Sequence, residues 1–283
     1  MAAKYDGAGE QNKQTKNYIL ISSNEEAKEL FKRIDTNKHN IATLGLDVEA
    51  VELGSSWKGV VSIVQIKIQD KPPYLIDIYG SKIDLKATLF NDIMKSEEIE
   101  KVIHDPRNDS SMLYETYKTE MRNVFDTQSF QMTVENKCSP ILTTRRLQSQ
   151  RKSLDFIYEK YVGRFPNKTL KDDMKKQMSE DQNLWLKRPL TGEMAMYAAL
   201  DVDTLLPIRF SMLKHLSDMG DVQRIAFLKT YNELCAESIY TPLPIANAEI
   251  NIRKKLRERD EAKGLQMLGI ELSKKEKKII RSF

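Results

Sequence analysis

Three apolar segments follow one another with almost nothing between them. ATLGLDVEAVEL, GVVSIVQIKIQ and YLIDIYG are rich in Val, Ile and Leu, and are joined by the turn formers GSSWKG and DKPP. Parallel neighbours need a crossover of a dozen or more residues, so links this short dictate an antiparallel meander. The first strand carries an anomaly. Side chains two apart share a strand face, so Asp47 and Glu49 point one way while Leu46, Val48 and Ala50 point the other.

The elements around the meander are mostly helical. In SSNEEAKELFKRI, Ser23 followed by Glu26 is a capping-box pattern, and Ala27, Leu30, Phe31 and Ile34 fall at helical spacing, which predicts a helix over about 24–34. LKATLFNDIMKS reads as a helix and KVIHD as a short strand. DPRNDSSMLYETY reads as a helix with Asp105 as N-cap and Pro106 at its first position, and NVFDT as another short strand. Helical pattern continues to about Gly163. NKTLKDDMKKQMSEDQN is charge-dense without a clear period and is expected to be a loop. A long helix resumes at TGEMAMYAALDVDTLLPIRFSMLKHL, with Pro207 a place where it would bend or end.

Composition sets outer limits. A chain of 283 residues, 40% hydrophobic, can bury a sizeable core, which suggests one large domain with appendages or two small ones. The expected division is a disordered segment 1–17, a globular domain 18–215 and a helical extension 216–283. No run reaches the roughly 18 apolar residues of a membrane span, and the start lacks the apolar stretch of a signal peptide. An intracellular protein with no membrane partner is expected, in the cytoplasm ahead of the nucleus.

Cys138 and Cys235 form no CxxC, and His39, His104 and His215 are far apart in sequence, which argues against structural zinc and a disulfide framework. Any metal ligands should be carboxylates, which suit Mg²⁺ or Mn²⁺. Charge concentrates at the end: from Arg253 to Phe283 eleven Lys/Arg stand against five Asp/Glu, while the rest of the chain is net −2. Such a tail can hold phosphate backbones, or can be a solvated helix with mixed charges.

Besides Asp47 and Glu49, two further carboxylate stations occur. In HDPRNDSSML, His104 ends a short strand and Asp109 lies in the first turns of the next helix. In YAALD, Tyr197 and Asp201 stack one helical turn apart. Singly, each is also what a solvated acidic residue gives. Together they can converge at one end of a mixed sheet, where four carboxylates are untenable without cations. With two divalent ions such a cluster becomes a phosphodiester-cleaving site.

The order D-x-E, H-x4-D with a Leu four residues later, then W-x2-RPL leading into Y-x3-D resembles the DEDDy branch of the DnaQ-like 3'–5' exonucleases. Ribonuclease D and Werner-type exonuclease domains are relatives. The matching stretches are LGLDVEAVE, VIHDPRNDSSML, NVFDTQ and WLKRPLTGEMAMYAALDVDTLLPI, and the resemblance covers residues 18 to 215. HDPR and FDTQ are similar to the exonuclease 3'–5' domain-containing protein 1 subgroup. The resemblance implies an α/β ribonuclease H-like fold, a mixed sheet of antiparallel meander plus parallel strands flanked by helices. It further implies two Mg²⁺ or Mn²⁺ ions on Asp47, Glu49, Asp109 and Asp201. Tyr197 would orient or help activate the attacking water, and a nucleoside monophosphate would leave from the 3' end of single-stranded RNA or DNA.

Asn108 departs from the pattern, standing where the family has an aromatic or large apolar residue. The subgroup also includes inactive members that serve as RNA-binding adaptors in small-RNA (piRNA) pathways, often as homodimers. An adaptor of that kind is the second reading, with homodimerisation and small-RNA pathway proteins as the partners it implies. Arg145, Arg146, Arg151 and Lys152 in RRLQSQRK, with the tail, are candidates to track a single strand. Phe125, Phe130 and Tyr114 are candidates to stack on a base or to pack in the core. Trp185 and Arg188 are expected to brace the last helix, and His104 to pack at its strand end.

Overall fold

A computed structural model describes residues 17–51, 59–135 and 151–240. The first sixteen residues, most of the GSSWKG turn, Cys138, Arg145, Arg146 and the basic tail lie outside the described residues.

Six strands form one sheet: β1 (Ile19–Ile21), β2 (Thr43–Val51), β3 (Val60–Ile68), β4 (Tyr74–Asp77), β5 (Glu100–Ile103) and β6 (Val124–Asp126). Their order is β1-β4-β3-β2-β5-β6. The short links do make β2, β3 and β4 an antiparallel meander. Strands β5 and β6 extend it in parallel beyond β2, and β1 pairs in parallel with β4. The sheet is therefore mixed, as expected. Strand β1 escaped the sequence reading because ILI is too short to show a period.

Alternation along the strands feeds two cores. Leu44, Leu46, Val48 and Ala50 of β2, with Val64, Ile66 and Ile76, pack against Leu30, Phe31 and Ile34 of helix α1 (Asn24–Thr36). The same core takes in Phe90 and Ile93 of α3 (Phe90–Lys95) and Met112 and Leu113 of α4 (Arg107–Tyr117). A short helix, α2 (Ile78–Ser81), follows β4 directly. The expected single helix over LKATLFNDIMKS is instead a 3-10 turn, Leu85–Ala87, and then α3. Thr88 separates them, extended and with its hydroxyl accepting from the Phe90 N–H.

The capping box of α1 is present in altered form. The Ser23 hydroxyl accepts from the Glu26 N–H at 3.2 Å, and the Glu26 carboxylate accepts from the N–H of Ser22 at 2.8 Å.

The opposite face of the sheet is covered by α8 (Gly192–Ser217), which continues through Pro207. Val51, Ile63 and Leu75 meet Met194, Tyr197 and Ala198 at one end, and Val102 and Phe125 meet Val202, Leu205 and Ile208 at the other. Helices α5 (Thr127–Glu135), α6 (Leu154–Tyr161) and α9 (Asp221–Glu237) complete this second core through Phe130, Ile157, Phe227 and Tyr231. The segment expected from residue 216 onward thus begins inside the compact unit, which runs to Ile239.

The stretch expected to be a loop is helix α7 (Lys168–Glu180). Asn167, in the left-handed region, caps it by accepting from the Leu170 N–H at 3.3 Å. Its period is real: Leu170, Met174 and Met178 recur every four residues and pack toward Trp185 and Tyr197. The stripe was hidden because its most buried members are Met174 and a lysine, Lys171. Lysine can bury its methylene stem along apolar surface while its ammonium seeks a partner.

Candidate active site

Asp47 and Glu49 leave β2 on the α8 side of the sheet, just before a bulge between Glu49 and Ala50. Gly45 lies two residues earlier on that face. A Cβ there would stand 3.1 Å from the Val202 carbonyl oxygen and 3.2 Å from Lys67 Cβ, so glycine lets the α8 backbone lie against β2. That approach sets Asp201, the residue before Val202, beside the acidic strand. Two ion pairs fasten α8 to the sheet around it, Lys67–Asp203 at 2.5 Å and Arg209–Glu100.

The result is a carboxylate cluster. Oxygens of Asp47, Glu49 and Asp201 lie within 4.8 Å of one another. Asp109, buried in the first turn of α4, stands outside that trio but close enough for its charge to act on Glu49 and for the Asp47 charge to act on it. The four carboxylates that look equivalent in the sequence are a trio and a neighbour in the structure.

Asp109 is placed by Asp105 and Asp126. Asp105 was expected to cap α4. It adopts the left-handed region instead, accepts from Arg107 Nε and Nη2 at 2.5 Å each, and leaves Pro106 as the N-cap. Its N–H donates to the buried Asp126 carboxylate at 3.0 Å, which also takes the Gln128 N–H at 2.9 Å and the Ser129 hydroxyl at 2.5 Å. Asp126 therefore pins the turn before α4 to the start of α5. The only hint of this in the sequence was the Asp126 that ends the short strand NVFDT.

Charge crowding shows in the titration of the cluster. Burial first, then the Asp201 charge, push Asp47 up to about 7, against the pull of Lys171 and the Val48 N–H. Burial and the Asp47 and Asp201 charges hold Glu49 well above its ordinary value, and burial with the Asp47 charge does so for Asp109. Asp201 is lifted by burial and drawn back by Lys171 and the Tyr197 hydroxyl.

Lys171 was not a sequence candidate. Its ammonium lies 2.5 Å from Asp201 Oδ1, closer still to Oδ2, 3.2 Å from the Tyr197 hydroxyl and 4.4 Å from the centre of the Tyr197 ring. Burial and the Asp201 charge raise the Tyr197 pKa far above the ordinary tyrosine range, so its hydroxyl stays protonated.

Gln65 faces Asp47 across the β2–β3 pair and is wholly buried, and among the described residues neither its side-chain nitrogen nor its oxygen has a hydrogen-bond partner. Clustered carboxylates lifted by burial and, for Asp47, Glu49 and Asp109, by neighbouring charge, beside an unsatisfied amide that could hold a water, form a donor set that fits a hard divalent cation.

The remaining candidates have structural partners. His104 Nδ1 lies 2.8 Å from the Thr127 hydroxyl and Nε2 lies 3.1 Å from the Lys152 carbonyl. The carbonyl can only accept, so Nε2 carries the proton. Burial lowers the His104 pKa. Arg188 grips Asp77 through Nε at 3.0 and 3.1 Å, and donates to the Ser62 hydroxyl at 3.0 Å and the Trp185 carbonyl at 2.9 Å. Phe125 and Phe130 are core residues. Lys152 is held by Gln128 through both backbone groups, at 2.8 and 3.2 Å, which fixes Arg151 and Lys152 beside the second station.

Comparisons with known proteins agree with this geometry. A family model described as 3'-5' exonuclease matches residues 18–217. Over 192 residues the chain is 27% identical to the Egalitarian protein homolog of Caenorhabditis elegans, covering 67% of this chain and 32% of the relative. It is 29% identical over 183 residues to the mouse piRNA biogenesis protein EXD1, covering 59% of this chain and 29% of the relative. The chain thus spans about a third of the length of these relatives. The solved structure of Trypanosoma brucei RNase D in complex with RNA U12 shares the fold, at a TM-score of 0.56 and 21% identity, covering 80% of this chain and 72% of that one. With the matched region enclosing all three carboxylate stations, the chain belongs to the 3'-5' exonuclease family.

Proposed function

We propose that this chain is a metal-dependent 3'–5' exonuclease that removes nucleoside monophosphates from single-stranded RNA. The observation that carries the proposal is the convergence of Asp47, Glu49 and Asp201 within 4.8 Å, with Asp109 adjoining. Asp47, Glu49, Asp109 and Asp201 would hold two Mg²⁺ or Mn²⁺ ions. When bound, such ions hold the phosphate, supply hydroxide at neutral pH and stabilise the leaving oxygen.

The chain's own residues supply the frame. Gly45 and the Lys67–Asp203 pair hold α8 against β2 so that the carboxylates stay in register. The protonated Tyr197 hydroxyl orients a water by hydrogen bonding and does not act as a base. His104, engaged at both nitrogens, keeps the turn at the second station closed. Arg151 and Lys152 offer positive charge to the strand's phosphates.

RNA is favoured over DNA by the RNase D neighbour with bound RNA. A second reading, an RNA-binding adaptor in a small-RNA pathway, is favoured by one feature: an ammonium already sits on Asp201. The test is release of labelled mononucleotide from single-stranded RNA with Mg²⁺, with Mn²⁺ and with EDTA, for wild type, Asp47→Ala and Asp201→Ala. Metal-dependent release lost in both variants is expected, by at least on the order of a hundredfold, the range for removing one electrostatic contributor. RNA binding by wild type without release would establish the adaptor.

A further inference from the structure

Helix α7 presents three lysines on one stripe, Lys168, Lys171 and Lys175, spaced three and four residues apart. The outer two clamp one buried carboxylate, Asp155 at the start of α6, through Lys168 Nζ to Oδ2 at 2.7 Å and Lys175 Nζ to Oδ1 at 3.0 Å. The middle lysine is thereby driven into the carboxylate site. Its side chain is 5% exposed and that of Asp201 8%. The ammonium takes both Asp201 oxygens, the Tyr197 hydroxyl and the Tyr197 ring face. The third station is thus engaged by a cation of the chain's own, held by a docked helix and not by a loose surface lysine.

We propose that Lys171 is a resident cation that competes with a divalent ion for Asp201. One ion binds on the Asp47 and Glu49 side with Lys171 in place, and a second enters only by displacing the ammonium. The physical argument is charge. Clustered carboxylates repel, and Lys171 supplies a compensating charge at the buried Asp201. The same contact must be broken before Asp201 can serve a second ion, and breaking a buried ion pair is costly. Lys171 is then a positioning residue that sets how readily the site becomes dinuclear.

This inference rests on the nuclease reading, and the test separates the two. Mn²⁺ binding to the full chain is followed by calorimetry and by electron paramagnetic resonance, which distinguishes a lone Mn²⁺ from a spin-coupled pair. Wild type is expected to bind one lone ion tightly. Lys171→Met is expected to bind a coupled second ion at least about tenfold more tightly than wild type, within the range for residues around a metal site. Lys171→Arg, which keeps the charge, should retain the weak second site. Equal affinities in wild type and Lys171→Met overturn the proposal. So does a wild type that already holds a coupled pair at micromolar Mn²⁺, a result independent of how well Lys171→Met folds. Absence of Mn²⁺ binding in all three proteins overturns the nuclease reading itself.

Discussion

The Val202 carbonyl oxygen lies 3.1 Å from where Gly45 would carry a Cβ. This contact sets the spacing between the strand that bears Asp47 and the helix that bears Asp201. Gly45→Ala must push backbone against backbone, because neither the Val202 carbonyl nor Lys67 Cβ is the far end of a flexible side chain. The expected cost is about 1–3 kcal/mol, the usual range for overpacking. Nuclease activity should fall by more than the lost stability explains, since the carboxylates are moved apart. Thermal melts beside Mn²⁺ affinity check this; a variant with normal metal affinity would show that the spacing tolerates the methyl group.

Arg188 illustrates the difference between a brace and a substrate contact. Its guanidinium satisfies the buried Asp77 carboxylate along with Ser62 and the Trp185 carbonyl, and a Cβ at Gly80 would clash with both partners. Arg188→Lys keeps the charge but loses the fork, so a loss of roughly 1–3 kcal/mol is expected from an under-satisfied carboxylate. Affinity for single-stranded RNA should be unchanged. Urea unfolding and a binding titration separate the two effects, and weakened RNA binding at full stability would place Arg188 at the substrate.

Where the chain speaks through local rules, the sequence was readable. The meander followed from link length, and α1 from its capping box and the helical spacing of Ala27, Leu30, Phe31 and Ile34. The pairing of Asp47 with Glu49 followed from strand alternation, and Tyr197 above Asp201 from helical spacing. Their meeting depends on β5 pairing beside β2 and on α8 crossing the sheet at Gly45, which no local pattern announces. The position of Asp109 outside the trio depends on the left-handed Asp105 and its anchor Asp126, again a tertiary matter. Lys171 was missed for a different reason. Lysine at a buried helical position breaks an apolar stripe on paper, although its stem packs and its ammonium is paired.

Asp155 gives an acid-side prediction. Its burial would raise its pKa, but hydrogen bonds from Lys168, Ser153 and Lys175 hold it well below the usual carboxylate range. A depressed folded pKa contributes stability that is complete above the unfolded value of about 3.9 and is lost as pH falls below it. Asp155→Asn should lower the Tm by a few degrees at neutral pH. That gap should close as pH drops through 4 toward 2. Melts of both proteins over this range check it, and a pH-independent gap would assign the loss to packing.

The carboxylate cluster gives the opposite sign on the neutral side. Asp47 is lifted to about 7, so between pH 4 and 7 the folded chain holds a proton that the unfolded chain has released. Stability contributed by that proton is lost as pH rises through this window. In EDTA the Tm should decline from pH 5 to 7.5, and Asp47→Asn should flatten the decline. Mn²⁺ should reverse it, because the ion replaces the proton. Metal affinity should therefore climb toward pH 7, by up to about tenfold per pH unit for each proton displaced. Calorimetry in buffers of different ionisation enthalpy counts those protons; a count of zero would contradict the raised Asp47.

Arg151 and Lys152 test where the strand runs. Both follow directly from the anchoring of residue 152 by Gln128 and His104, which holds them beside the turn that carries Asp105. Lys152 has modest competition, with Glu135 at 4.0 Å and the Phe156 ring centre at 5.3 Å. If both contact phosphates, each contributes a released counterion, and the slope of log K against log salt loses roughly 0.7 per contact on a single strand. Arg151→Gln with Lys152→Gln should therefore weaken RNA binding uniformly across sequences and make the slope shallower. The two changes leave the carboxylate cluster intact, so Mn²⁺ affinity should not move. A weakened affinity with an unchanged slope would mean that the pair supports the site through packing and that the phosphates run elsewhere.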